Sequence, residues 1–120
     1  MIEKVLNIAN IPYMVIDEGE GIKLIKVNSK IHILYLCCKG NIFLLERDFF
    51  EYIDGNSIPY AILCYDCSAM KMYYLKLNKN VNWVKSCFNT CEKDSIYLGK
   101  EVLKAQIRDD LLKEKFLKYK

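Results

Sequence analysis

Four of the six cysteines in this 120-residue chain are spaced for metal chemistry. They form two short pairs, Cys64-x-x-Cys67 and Cys87-x-x-x-Cys91, with nineteen residues between the pairs. Two such pairs of thiolates are a ligand set of structural zinc sites. Cys64, however, falls in an apolar run that predicts a β-strand, where positions three apart point to opposite faces of a sheet. We therefore expect buried, reduced thiols, with a zinc-stabilised binding module as an alternative.

The single histidine, His32, limits imidazole catalysis to one possible centre. It lies between two isoleucines in a predicted strand, a position typical of a structural side chain, although an imidazole is also a candidate general base. No Gly-x-Ser-x-Gly elbow accompanies it. The five glycines are scattered singly, so the sequence has no phosphate-binding glycine loop. His32 is thus a catalytic candidate only in company with other groups.

The elements that would position these side chains follow from hydrophobic spacing and from turn residues. Apolar residues at helical spacing predict helices over residues 2–9, 46–54, 81–88 and from about 99 to 120. Alternating or continuous apolar runs predict strands over 13–17, 22–27, 30–38, 42–45, 58–66, 71–77 and 95–98. This order describes an α/β (α+β) fold with a mixed central sheet flanked by helices and a C-terminal amphipathic helix.

Length and composition indicate one globular domain over residues 1–120, with a core at about 1–98 and the C-terminal helix at about 99–120. Hydrophobic residues make up 52% of the chain and charged residues 28%, as in ordinary globular proteins. The longest apolar run, residues 33–38, is too short to span a bilayer. The first seventeen residues include acidic side chains and lack a signal-peptide pattern. We expect a cytoplasmic protein without a membrane partner.

Three stretches of the sequence carry a resemblance to a known family. They are FLLERDFFEYID (residues 43–54), the apolar strand opened by Ile-Pro-Tyr (58–60) and MYYLKL (72–77). With the element order, they resemble the restriction-endonuclease-like fold, the PD-(D/E)XK superfamily that includes Holliday-junction resolvases and many restriction enzymes. The resemblance covers about residues 22–98, and the later stretches NWVKS and SIYLGKEVL are similar to distal elements of some restriction-type members.

The resemblance implies a metal site that this chain has lost. In that superfamily an Asp near the start of the second strand and a Glu-x-Lys or Gln-x-Lys on the third bind Mg²⁺ and position the attacking water. Here the second strand begins GIKL (residues 21–24) without an acid. On the third, Lys39 fits the motif lysine, but Cys37 stands where the carboxylate belongs. A soft thiolate is a poor ligand for Mg²⁺.

The resemblance therefore implies a catalytically degenerate nuclease-like protein that acts by binding. Its partner would be nucleic acid or a protein of a nucleic-acid-processing or defence system, which the chain would serve as subunit, decoy or anti-defence inhibitor. We expect no cofactor. The alternative is an active Mg²⁺-dependent nuclease with a migrated site that uses Glu18 or Glu20, Asp17, Lys39 and His32.

Basic residues concentrate at the C-terminal end of the chain, whose net charge is +3. Residues 100–120 hold seven Lys or Arg against four Asp or Glu, whereas the first 99 residues hold eleven of each. Lys100, Lys104 and Arg108 follow at four-residue steps and would form a positive ridge on the predicted helix. The ridge would contact phosphate or an acidic protein surface. The apolar stripe would dock on the sheet or on a second copy in a homodimer.

Overall fold

The computed structural model describes residues 2–19, 21–38, 42–85, 94–99, 103 and 106–120. Within these ranges the chain forms three helices, α1 (Ile2–Ile8), α2 (Arg47–Asp54) and α3 (Asp109–Leu117). The strands are β1 (Tyr13–Gly19), β2 (Ile22–Val27), β3 (Ile31–Cys38), β4 (Ile42–Glu46), β5 (Tyr60–Asp66), β6 (Lys71–Leu75), β7 (Val84–Lys85), β8 (Asp94–Gly99) and β9 (Gln106–Ile107). No helix of the described part is long and apolar enough to cross a membrane.

The strands form a six-stranded sheet, in the order β1-β2-β3-β5-β6-β9, and a three-stranded sheet, β4-β8-β7. Among the described strands only β3 and β5 pair in parallel, from His32 opposite Tyr60 to Cys38 opposite Asp66. Parallel neighbours need a long crossover, which here includes β4 and α2. The mixed α+β architecture predicted from the sequence is confirmed.

Two apolar clusters cover the two faces of the six-stranded sheet. Helices α1 and α3 pack on one face, and α2 with the three-stranded sheet packs on the other. Because side chains alternate along a strand, β3 supplies Ile33 and Tyr35 to the first cluster and Leu34 and Leu36 to the second. This burial on both faces explains why β3 and β5 are apolar at nearly every position.

The C-terminal helix is shorter than the sequence predicts. It begins at Asp109 rather than near residue 99, because Gln106 and Ile107 pair with Tyr73 and Met72 of β6 as a strand. Arg108 has extended backbone angles, φ −88° and ψ 158°. The acidic residues of the first helical turn, Asp109 and Asp110, favour a start there through the helix dipole.

The helix predicted over residues 81–88 is also wrong in its described part. Val84 and Lys85 form β7 and pair with Ser95 and Asp94 of β8. Residues 81–83 have no regular secondary structure, and 86–88 lie outside the described ranges. The spacing of apolar residues favoured a helix here. That local pattern contains no information about pairing with β8, a strand that begins about ten residues further along.

Adjacent leucines of α3 allow a matched test of its docking. Leu112 is fully buried in the cluster shared with α1, whereas Leu111 is 44% exposed. We expect Leu112→Ala to lower the free energy of unfolding by about 2–5 kcal/mol through lost burial and a residual cavity. Leu111→Ala should change it by less than about 1 kcal/mol. Urea denaturation of both variants measures the difference, and equal effects would contradict this packing.

Candidate functional site

The site implied by the family resemblance lies where β3 and β5 end side by side. Cys37 is opposite Tyr65 in the parallel register, and Cys67 follows β5 by one residue. The Sγ atoms of Cys37 and Cys67 are 2.6 Å apart, and both side chains are partly buried. The position that would carry the motif carboxylate therefore contacts a second thiol.

Two tyrosines of the same sheet face adjoin this thiol pair. The rings of Tyr35 and Tyr65 stack with centroids 6.5 Å apart and an angle of 22° between their planes. Burial raises the pKa of Tyr35, and the neighbouring Cys37 and Cys67 raise it further. A phenol with a raised pKa stays neutral at physiological pH. The thiols are thus next to an uncharged aromatic surface.

Glu18, one of the acidic candidates, is bound by a lysine. The Nζ atom of Lys23 lies 3.1 Å from Glu3 of α1 and 3.4 Å from Glu18 of β1. The hydrogen bond to Glu3 raises the pKa of Lys23 against the opposing effect of burial, and Glu18 raises it further. This pairing holds the ammonium between the two carboxylates, so its positive charge offsets one of their two negative charges.

The other acid and lysine candidates do not complete a metal site in the described part of the chain. Asp17 is exposed, and its Oδ1 accepts a hydrogen bond of 2.8 Å from the main-chain N–H of Glu18. Glu20 and Lys39 lie outside the described residues. Among the residues that are described, no three His, Cys, Asp or Glu side chains are grouped so that they could hold a metal ion.

His32 lies far along β3 from the thiol pair and on the opposite face. It is fully buried, and within the described structure neither ring nitrogen has a hydrogen-bond partner. The ring meets Tyr52 of α2 edge to face, with centroids 5.8 Å apart. Burial lowers the pKa of His32, and the positive charge of Lys26 lowers it further. The structure therefore does not bring His32 together with Glu18.

The two described zinc candidates point away from each other. Cys64 is buried in the cluster on the α2 face, where burial raises the pKa of its thiol to about 12. Cys67 contacts Cys37, which packs on the α1 face. Strand alternation predicts this divergence, although Cys67 lies in the turn just after β5. Cys87 and Cys91 lie outside the described residues.

The predicted positive ridge does not have its helical geometry at Arg108. This residue precedes α3 in an extended conformation, and its guanidinium lies 3.4 Å from the carboxylate of Asp110. Lys100 and Lys104 lie outside the described residues. Four-residue spacing aligns charges only within a helix, and Arg108 lies outside α3.

A different group of lysines meets at the corner formed by the β2–β3 turn and the end of α3. Lys30 Nζ donates a hydrogen bond of 3.5 Å to the main-chain oxygen of Lys120, and Asn28 Nδ2 donates one of 3.0 Å to that of Tyr119. Lys118 Nζ lies 5.2 Å from the centroid of the Tyr119 ring. We call the exposed lysines 30, 118 and 120 the basic corner. In the described structure none of them forms an ion pair with an acidic side chain.

Sequence reasoning missed the basic corner and the contact between Cys37 and Cys67. Lys30 and Lys120 are 90 positions apart, and the two cysteines are 30 apart. No local spacing reports either contact. The one available signal was that Tyr35 and Cys37, two apart in a strand, share a face.

Comparison with known proteins adds no family. No protein-family model, no curated protein and no solved structure matches this chain. The site is therefore interpreted from its own geometry: a thiol pair beside stacked tyrosines, an ammonium bound by two carboxylates, and a basic corner.

The buried imidazole predicts a pH dependence of stability. Because the folded-state pKa of His32 is below its ordinary value of 6.5, the unfolded chain binds more protons as the pH falls through that value. Stability should be fully present above pH 6.5 and decrease below it, by at most about 1.4 kcal/mol per pH unit.

Urea denaturation between pH 5.5 and 7.5 measures this slope. His32→Phe removes the titrating group without breaking a hydrogen bond in the described structure, so its slope should be smaller than that of the wild type. An unchanged slope in a folded variant would show that His32 is not the source.

The divergence of Cys64 and Cys67 predicts folding without zinc. Protein purified in reducing buffer should hold less than stoichiometric zinc by mass spectrometry, and a chelator should leave its thermal midpoint unchanged. One zinc ion per chain, with loss of structure on chelation, would contradict this prediction and restore the four-cysteine site.

Proposed function

We propose that this chain binds nucleic acid on a nuclease-like fold without metal-dependent catalysis. The observation that carries the proposal is the contact between Cys37 and Cys67 at the end of β3. The family resemblance requires a carboxylate there. The acidic candidate Glu18 forms an ion pair with Lys23, 3.4 Å away, which Lys23 shares with Glu3.

The order of elements supports the nuclease-like layout. Helix α1 is followed by the antiparallel strands β1, β2 and β3, and then by α2 and a strand parallel to β3. The antiparallel β6 comes next. This is the succession on which the resemblance was based, and the strand predicted over residues 42–45 is β4 of the crossover.

The basic corner is the surface best suited to phosphate. Its lysines are exposed and are not compensated by acidic side chains in the described structure. Lysines contact phosphate oxygens without reading base sequence. Arg108 is less suited, because it lies 3.4 Å from Asp110. We therefore assign phosphate contact to the corner and expect binding with little sequence preference.

A protein of a nucleic-acid-processing or defence system is the second candidate partner. Strand β1 is at the edge of the larger sheet, and Met14 and Ile16 on it are 61% and 38% exposed. Exposed apolar side chains on an edge strand favour pairing with another chain. In that role the protein would be a subunit, a decoy or an inhibitor.

Labelled DNA and RNA, single- and double-stranded, test the first candidate with and without Mg²⁺ or Mn²⁺. We expect gel retardation without cleavage. Three phosphate contacts predict a roughly 20- to 40-fold loss of affinity between 50 and 200 mM salt. Cleavage that disappears in Lys39→Ala would instead establish the migrated nuclease site.

Charge reversal locates the binding surface. Changing lysines 30, 118 and 120 to Glu should abolish retardation while the circular dichroism spectrum stays unchanged. The matched control reverses the exposed lysines 4, 71 and 76, which gives the same net charge away from the corner. Equal losses in both variants would contradict a localised site. No retardation of the wild type at low salt would favour the protein partner.

A further inference from the structure

We propose that Cys37 and Cys67 are a redox-active dithiol that a low-molecular-weight disulfide, such as oxidised glutathione, converts into an intramolecular disulfide. This inference goes beyond the proposed function and does not depend on it. It rests on the contact between the two thiols and on the main-chain structure that fixes each of them.

The two sulfur atoms are already close to bonding distance. Their separation is 2.6 Å, and a disulfide bond is about 2.05 Å long. Cys37 is held in β3, and its N–H donates a 2.8 Å hydrogen bond to the carbonyl of Gly21. The two thiols are therefore in contact, and Cys37 presents its sulfur from a hydrogen-bonded strand.

A turn held by a buried carboxylate fixes Cys67. Asp66 Oδ1 accepts hydrogen bonds from the N–H and hydroxyl of Ser68, at 3.0 and 2.6 Å, and from the N–H of Ala69 at 3.2 Å. These bonds span the residue that carries the thiol. Both cysteines are thus oriented toward each other before oxidation, which limits the entropy lost when the bond forms.

Accessibility makes the pair selective over Cys64, the third cysteine whose side chain the structure describes. Cys37 and Cys67 are partly exposed and can be reached by a small disulfide. Cys64 is fully buried, and burial raises its pKa to about 12, so little of it is present as the reactive thiolate.

The reaction is a thiol–disulfide exchange in two steps. The thiolate of one cysteine attacks a sulfur of the small disulfide, forming a mixed disulfide and releasing one small thiolate. The other cysteine loses its proton and attacks the protein sulfur of the mixed disulfide, which releases the second small thiol. The protein loses two electrons and two protons, and the small disulfide is reduced to two thiols.

The bond would join the end of β3 to the turn after β5, across 30 positions of sequence. Closing a loop of this length restricts the unfolded chain. We therefore expect the oxidised protein to unfold at a temperature at least about 5 °C above that of the reduced protein.

Wild-type protein equilibrated with reduced and oxidised glutathione in varied ratio, then acid-quenched and alkylated, tests the proposal by peptide mapping. We expect a linked Cys37–Cys67 peptide that grows with the fraction of oxidised glutathione, and a higher thermal midpoint in the oxidised sample. The proposal is overturned if both cysteines stay alkylatable at the most oxidising ratio, or if each carries glutathione without linkage.

Variants separate this pair from the other thiols. Cys64→Ala should keep the linked peptide and the midpoint shift, whereas Cys37→Ala and Cys67→Ala should each lose both. A midpoint shift that persists in either of the latter would assign it to other cysteines. If those variants do not fold, fragmentation of the linked wild-type peptide between Cys37 and Cys38 still decides the linkage. None of these measurements uses nucleic acid, so the fate of the proposed function leaves this test unaffected.

Discussion

The parallel pairing of β3 with β5 is the constraint on which the rest of the structure depends. It is the one parallel contact among the described strands, and it requires the chain to leave the sheet after β3 and return through β4 and α2. The segment that contains β4 and α2 covers the second face of the sheet. Without it, Leu34 and Leu36 would face water. The same pairing places the C-terminal ends of β3 and β5 side by side, and the thiol pair lies there.

The two faces of the larger sheet hold different polar groups. On the α1 face, Lys23 is satisfied by two carboxylates near solvent, so its charge costs little to keep. On the α2 face, His32 is enclosed by apolar and aromatic side chains, and burial favours its neutral form. One face thus keeps a paired ammonium at its rim, while the other buries a neutral imidazole.

The local pattern of apolar residues was sufficient to predict the strands from β1 to β6 and helix α2. Each of these elements carries its own alternation or helical spacing between turn residues. The local pattern failed for β9 and for the start of α3, where Gln106 and Ile107 are recruited by a strand more than thirty positions earlier. The candidate site was likewise predicted from the sequence only in part. Strand alternation predicts that Cys64 and Cys67 face opposite ways, but Cys67 lies in the turn after β5. Its approach to Cys37 depends on the register of β5 against β3.

Helix α3 packs against α1, so nearly the last described residues cover nearly the first. Since α3 follows every strand of the larger sheet in the sequence, the face carrying Ile33 and Leu63 has only α1 to cover it until α3 has been synthesised. During that interval the nascent sheet presents a broad apolar surface to the cell, of the kind that chaperones bind. Synthesis of α3, rather than formation of the sheet, is then the event that ends this exposure.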